Sequence, residues 1–419
     1  MKSKLSIGVG FVTGRANVCD VINSYYSYML EQMKKYYVNV EIVFYILYDL
    51  NYQGAKREDF YKLKPELFKT DGIRVKYITP DDIKNKKVEV QDIYKLSSDD
   101  VDLILGNGHA KGRNTVMYFA YRDNMDYLLF WDDDEYPVAV IKNKDGSLDW
   151  RMQDNLVKHI ESLEDNDADV SIGYHCGYIS PIPYMEFKNE EEEEKISNFI
   201  DAIGNELVSW KTVKEKFIND NGVTFAEPDI SKGNGGYMMD PEKGIRFVAG
   251  STLCINLRHI DKIPAFYNPP EARGEDTFFS IGLQENSKVM KVPVYHFHDG
   301  FLKCRSIMQY DFPRELKLIK STDDSTVEKR FFKACLGWIK YKPLYTYLLD
   351  RENYDKKMAV VTRKMKNSIK KIDSFYDDEY DFNKVLEALE EYNAKVKEHY
   401  DTYVRTNHVW DELKMKFKE

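Results

Sequence analysis

The run Tyr127-Leu-Leu-Phe-Trp-Asp-Asp-Asp-Glu-Tyr-Pro137 constrains this chain more than any other stretch. Leu128 to Trp131 carry the short apolar signal of a buried strand, and they lead straight into Asp132, Asp133 and Asp134. Carboxylates that end a buried strand are hard oxygen donors at the C-terminal edge of a sheet, where open α/β folds bind ligands. Two carboxylates at alternate positions can reach one divalent cation, and such a cation can neutralise a diphosphate. The plainer alternative is an acidic turn, so the flanking sequence has to decide.

Upstream, Leu5 to Val12 read as a strand closed by Thr13-Gly14-Arg15. A helix follows, with Val18, Val21, Ile22, Tyr25, Met29 and Met33 on one face. Glu41 to Tyr48 read as a second strand ending at Asp49. Ile73, Val75 and Tyr77 alternate with polar residues as a third, stopped by Pro80. Strands alternating with helices predict an α/β fold with a mainly parallel, doubly wound sheet. In that class the first strand–helix loop, here Thr13, Gly14 and Arg15, is a usual nucleotide contact; an ordinary tight turn reads the same way.

Composition excludes several classes. The chain of 419 residues, 43% hydrophobic and 14% aromatic, is long enough for one large domain with an appendage or for two domains. A net charge of −9 argues against a nucleic-acid partner. The five cysteines, Cys19, Cys176, Cys254, Cys304 and Cys335, are odd in number and lack CxxC spacing, which fits reduced thiols in a cytoplasmic protein. Met1-Lys-Ser-Lys4 leads into a strand rather than an apolar signal core, and no 18-residue apolar run predicts a membrane span.

Between the third strand and the aspartates lies Gly106-Asn-Gly-His-Ala-Lys-Gly-Arg-Asn114, read as a glycine-rich loop that brings Lys111 and Arg113 into a helix over Thr115 to Tyr121. Basic residues at a helix entrance suit a diphosphate. The order of this loop, helix, apolar strand and Asp-x-Asp resembles the nucleotide half of GT-A glycosyltransferases, especially the large inverting family 2. The resemblance implies metal-side carboxylates at Asp132 and Asp134, nucleotide contacts at Arg113 and Asn114, and a base-side aspartate at Asp49. Asp133 and Glu135 crowd the motif, which leaves open which of the four acidic residues touches metal.

Further on, a helix is expected from Gln153 to Leu163 and a strand from Asp169 to Tyr178. Glu190 to Glu194 read as a solvated helix face. Ser231 to Gly236 read as a flexible loop, either a cover for a nucleotide-sugar or a surface excursion. Arg246 to Ser251 approach a strand over Thr252 to Leu257, and Gly274-Glu275-Asp276 open a helix. The resemblance carries the catalytic base onto Asp276 with Glu275 as its neighbour, and places Gly250 and Ser251 along the sugar; a helix-capping acid is the simpler alternative. Val292 to His298 form a strand with His296 and His298 on one side. Members of this fold add a downstream histidine as a metal ligand, which points to His298 with His296 as the alternative; both can equally be packed on the strand.

The resemblance covers residues 4–305. It divides residues 1–310 into a nucleotide half, about 1–137, and an acceptor half, about 138–310. Residues 325–419 read as a helical C-terminal module: Val327 to Tyr341, Lys356 to Ile372, and one helix over Asp381 to Lys418. In the last, Phe382, Val385, Leu389, Tyr392, Val396, Tyr400 and Val404 form an apolar stripe, a packing face for the catalytic domain or for a second copy. The basic helix before it suggests peripheral membrane contact.

The implied activity is transfer of a sugar from a nucleotide-sugar, UDP-linked by preference, to a hydroxyl of a glycan or lipid-linked acceptor, with Mn²⁺ or Mg²⁺ as cofactor, in surface polysaccharide synthesis. Two rivals compete. A haloacid dehalogenase-like phosphatase also places Asp-x-Asp after a strand, but it wants Thr or Val where Tyr136 stands. A non-catalytic sugar-nucleotide-binding or assembly protein would share the fold and lack turnover.

Overall fold

The computed structural model describes residues 4–51, 54–178, 181–204, 209–220, 222–242, 244–320, 325–373 and 380–416. Apolar residues facing both ways along β1 (Leu5–Thr13) and β2 (Val40–Tyr48), and mainly one way along β3 (Ile73–Ile78), build one side of a sheet. β4 (Tyr127–Phe130), β5 (Glu135–Tyr136), β8 (Val170–Tyr178), β9 (Val223–Thr224), β10 (Tyr237–Met238), β11 (Leu253–Asn256) and β12 (Val289–His298) complete it. β6 (Val138–Lys142) and β7 (Leu148–Met152) form a separate antiparallel pair. The main order is β10-β12-β8-β11-β4-β1-β2-β3, with β5 on β12 and β9 on β8.

The sheet is mixed, which corrects the mainly parallel sheet expected. β1 pairs in parallel with β2 and β4, as do β2 with β3 and β8 with β12. β11 runs against both β4 and β8, and the short strands β5, β9 and β10 are also antiparallel to their neighbours. A strand buried on both faces looks the same in sequence whichever way it runs, so direction was not readable. The consequence for function is simple: β11, reversed between β4 and β8, keeps β1, β2, β3, β4, β8 and β12 pointing one way. Their C-terminal ends, and the N-terminal approach to β11, therefore share one edge.

Helices cover both faces. On one, Val18, Val21, Ile22, Tyr25, Met29 and Met33 of the helix Asn17–Tyr36 are buried against Ile7, Val9, Phe11 and Trp131, as their spacing predicts. On the other lie the helices Pro80–Tyr94, Ser98–Ile104 and His109–Arg122. Pro80 both ends β3 and opens its helix, at the first-turn position where a missing N–H is harmless. Thr79 caps that helix, accepting from the Asp82 N–H at 3.2 Å, while the Thr79 N–H donates to the Asp82 carboxylate at 2.9 Å.

Two sequence expectations about helices are corrected. The helix expected from Thr115 begins at His109, so Lys111, Arg113 and Asn114 lie on it rather than in a loop. The single C-terminal helix is two, Asn383–Ala394 and Val396–Lys416, broken at Lys395. Phe382, Val385, Leu389, Tyr392 and Val396 are buried as the stripe predicts, but the break turns the next helix, which buries Tyr403, Val409, Trp410 and Leu413 and leaves Val404 46% exposed.

The C-terminal helices share cores with the sheet-bearing part. Trp410 and Leu413 sit in the cluster with Ile260 and Ile263, and the Trp410 indole donates to the Ile263 carbonyl at 2.9 Å. Tyr341, Leu344 and Tyr403 pack with Tyr267 and Phe278. No helix among the described residues is long and apolar enough to cross a membrane.

Candidate active site

β4 ends at Phe130, and the three aspartates turn away from its tip in different directions. Asp132 keeps 39% of its side chain exposed, and its Oδ1 lies 3.2 Å from Arg113 Nη2. Asp133 is buried and faces the end of β1, where the Thr13 hydroxyl donates to it and Arg15 pairs with it. Asp134 is buried as well; Arg15 lies 2.9 Å from its Oδ2 and Arg330, on the helix Ser325–Leu349, lies 3.8 Å from the same atom. The Thr13-Gly14-Arg15 turn thus packs directly on the acidic run. It is fixed by the Arg15 N–H donating to Thr13 Oγ1 at 2.9 Å, and Asn17 adds a 2.9 Å amide bond to the Asp133 carbonyl.

These carboxyls are driven apart electrostatically. Burial pushes Asp133 up to about 6 despite Arg15. Burial acts the same way on Asp134, but Arg15 and then His298 outweigh it and hold that group below the usual carboxylate range.

Arg113 is the hub of a second group. Its Nη1 donates to the Gly250 carbonyl at 2.6 Å, its Nη2 faces Asp132, and its Nε lies 3.6 Å from Glu275 Oε1. The guanidinium also lies over the Phe130 ring, 5.0 Å from the centroid. Glu275 and Asp276 open the helix Glu275–Gly282 after Gly274, whose φ of 97° places it in the left-handed region. Burial, then the neighbouring Glu275, pushes Asp276 up to about 7; its Oδ1 accepts the Thr277 N–H at 2.8 Å. Glu275 itself is held down by His109 and Arg113 against the upward push of burial. Adjacent carboxyls with opposite shifts are the arrangement in which one stays ionised while the other can exchange a proton near neutrality.

Glu135 organises a third group. Its Oε2 accepts from His296 Nδ1 at 3.0 Å; its Oε1 accepts from the Ser251 hydroxyl at 2.6 Å and lies 3.1 Å from His175 Nε2. Burial would raise this carboxyl, but His175 and then His296 hold it well below its ordinary value. His296 has no exposed surface, and its second nitrogen meets the Asn155 amide. Both ring nitrogens of His296, the alternative metal-ligand candidate, thus have partners inside the protein, Glu135 and Asn155. His298 differs. Its Nδ1 donates to the Tyr178 carbonyl at 2.9 Å, the tautomer that leaves Nε2 as a lone-pair donor.

No protein-family model matches this chain, and no curated protein matches it.

The remaining sequence candidates are spread more widely. Asp49 lies at the same edge, its N–H donating to the Thr13 carbonyl at 2.9 Å and its carboxylate accepting the Asn51 N–H at 2.9 Å. Asn114 is fully buried, its amide spanning the Phe266 backbone at 2.8 and 2.9 Å, so it braces that segment instead of facing the edge. Lys111 is exposed on its helix. Sequence reasoning missed His175, Asn155 and Arg330. His175 and Asn155 lay inside runs whose signal was secondary structure, and nothing in the sequence ties Arg330 to Asp134 across the intervening chain.

The donor set fits a hard divalent cation in part. Asp132 offers a half-exposed carboxylate, Asp134 a buried ionised one, and His298 an available Nε2, a mixture of oxygen and imidazole suited to Mn²⁺ as well as Mg²⁺. No cluster of three such side chains is ready-made among the described residues, and Arg15 occupies Asp134. Binding would require Arg15 to yield to the cation or turn to a ligand's phosphate.

Proposed function

We propose that the protein is a metal-dependent inverting glycosyltransferase of the GT-A type, transferring a sugar from a nucleotide-sugar, UDP-linked by preference, to a hydroxyl of a glycan or lipid-linked acceptor. The observation that carries this reading is the bridge formed by Arg113. On one side it holds Asp132, at the tip of β4 and two residues before Asp134, the partner of Arg15; on the other it holds Glu275, next to Asp276 at a helix start. A diphosphate-binding edge and a proton-accepting carboxyl are thereby kept a fixed distance apart, as single displacement at an anomeric carbon demands.

In this reading Arg15 and Arg113 bind and orient the diphosphate. Asp132, Asp134 and His298 would hold Mn²⁺ or Mg²⁺, which when bound supplies Lewis-acid neutralisation of the departing diphosphate. Asp276 takes the proton from the attacking hydroxyl, for which a pKa of about 7 is well matched. Glu275 keeps Arg113 in place. A role in surface polysaccharide synthesis, a cytoplasmic location and peripheral membrane contact through the basic helix Tyr354–Asp373 belong to the same proposal.

The test is thermal-shift screening of UDP, GDP, dTDP and CDP with Mn²⁺ or Mg²⁺, since selective binding to the folded state raises its melting temperature by mass action. Hydrolysis of simple phosphomonoesters in place of nucleotide binding would point to the phosphatase reading. Binding without any turnover would point to the binding-protein reading.

A further inference from the structure

Glu135 divides its two imidazoles unequally. His296 is sealed in the interior, yet His175, at the C-terminal end of β8 and paired in register with His296, keeps 31% of its side chain exposed. A polar cluster that served packing alone would have no reason to leave one ring at the surface of the site. The bonding around His175 also fixes its tautomer. Ser251 gives its hydroxyl hydrogen to Glu135 at 2.6 Å, so toward His175 Nε2, 3.1 Å away, it can only accept; Glu135 Oε1, also at 3.1 Å, accepts too. Nε2 therefore carries a proton, and Nδ1 is the ring nitrogen to which the described residues bring no hydrogen-bond partner.

The position of the ring says what it can bond. Ser251 follows Gly250, whose carbonyl holds Arg113 between Asp132 and Glu275. His175 thus borders the strip between the diphosphate side and the base side, the place a transferred sugar occupies. We propose that Glu135 clamps His175 so that its Nδ1 forms a hydrogen bond with a hydroxyl of the donor sugar, making His175 a sugar-recognition residue. The inference rests on the glycosyltransferase reading and deepens it.

The experiment compares nucleotides with their sugar conjugates on the full chain in Mg²⁺: UDP, GDP, dTDP and CDP, each beside UDP-glucose, GDP-mannose, dTDP-glucose and CDP-glucose. For the pair that binds, His175→Phe keeps a ring and removes both nitrogens. It is expected to leave diphosphate affinity within about twofold and to lower conjugate affinity on the order of tenfold, the effect of one hydrogen bond. In the wild-type protein, the Nδ1 resonance of His175 should move with the conjugate and not with the diphosphate alone; this arm stands even if the variant fails to fold. Equal effects on both ligands, or a resonance that does not distinguish them, would overturn the proposal while leaving the parent reading intact. Binding of none of the eight compounds would overturn both.

Discussion

Arg113 Nη1 donates to the Gly250 carbonyl at 2.6 Å, and the guanidinium lies where a side chain at position 250 would stand: a Cβ there would come within 2.9 Å of Nη2 and 3.1 Å of Cζ. A side chain at position 250 would force the guanidinium to shift. Gly250→Ala should displace Arg113 from Asp132 and Glu275 together, at a stability cost of about 1–3 kcal/mol for overpacking. Nucleotide affinity should fall on the order of tenfold or more, because a charge-assisted bridge is lost. Calorimetric titration beside a melting curve checks this. A variant that melts earlier but binds as wild type does would show Arg113 to be a fold residue only.

Asp276 makes a pH-dependent contribution whose sign follows from its raised pKa. The native state binds its proton more tightly than the unfolded chain does, so the favourable contribution is full below about 4, the unfolded value, and is lost as pH rises to about 7. Asp276→Asn should therefore melt higher than wild type at pH 8 and match it near pH 4. The same substitution should lower transfer by about 10²–10⁴-fold with donor binding retained. Unchanged transfer would move the base elsewhere.

Sequence and structure agree where burial alone dictates the pattern. β1, β2, β8 and the helix Asn17–Tyr36 were legible because most of their buried positions are apolar. The start at His109 was not legible, since its first turns carry Lys111, Arg113, Asn114 and Thr115, polar residues of which the last three are buried for the sake of the site and the Phe266 segment. Nor was the reversal of β11, which depends on pairing partners rather than composition. In the site, Asp132, Asp134, Arg15, Glu275 and Asp276 drew notice because each sits at the end of a recognisable element, whereas Arg113 lies within the helix whose start was hidden. Glu135 was hidden in plain view: its importance comes from His175, Ser251 and His296, which the chain delivers from three other strand ends.

The C-terminal helices bear on stability as well as on the site. Trp410 is fully buried against Ile260 and Ile263, and Tyr341 and Leu344 pack on Phe278, in the helix that begins with Glu275 and Asp276. Trp410→Ala should cost about 3–5 kcal/mol. A chain ending at Ser325 should lose the cooperative melting of the whole protein and expose apolar surface to a dye such as ANS. Retention of a sharp transition by the shortened chain would show that the sheet-bearing part folds without these contacts. Arg330→Ala tests the link to Asp134 separately, in a protein whose cores are intact.

The two histidines of β12 should respond to mutation in opposite ways. His296 bonds Glu135 at 3.0 Å and meets Asn155, with no exposed surface. Removing it strands a buried carboxylate oxygen and a buried amide, a loss of about 1–3 kcal/mol or more. Among the described residues His298 hydrogen-bonds the Tyr178 carbonyl at 2.9 Å alone, and it helps keep Asp134 ionised. Its removal should cost stability about 1 kcal/mol. His296→Ala should thus melt well below wild type while keeping the wild-type Mn²⁺ concentration for half-maximal nucleotide binding. His298→Ala should melt close to wild type and need on the order of tenfold more Mn²⁺, with a smaller change in Mg²⁺, because imidazole favours transition metals over hard cations. Titrating Mn²⁺ and Mg²⁺ into each variant at saturating and subsaturating nucleoside diphosphate separates the two effects. Should His298→Ala keep the wild-type requirement for both metals, the ring merely ties β12 to β8, and any cation must be held by the aspartates, the diphosphate and water.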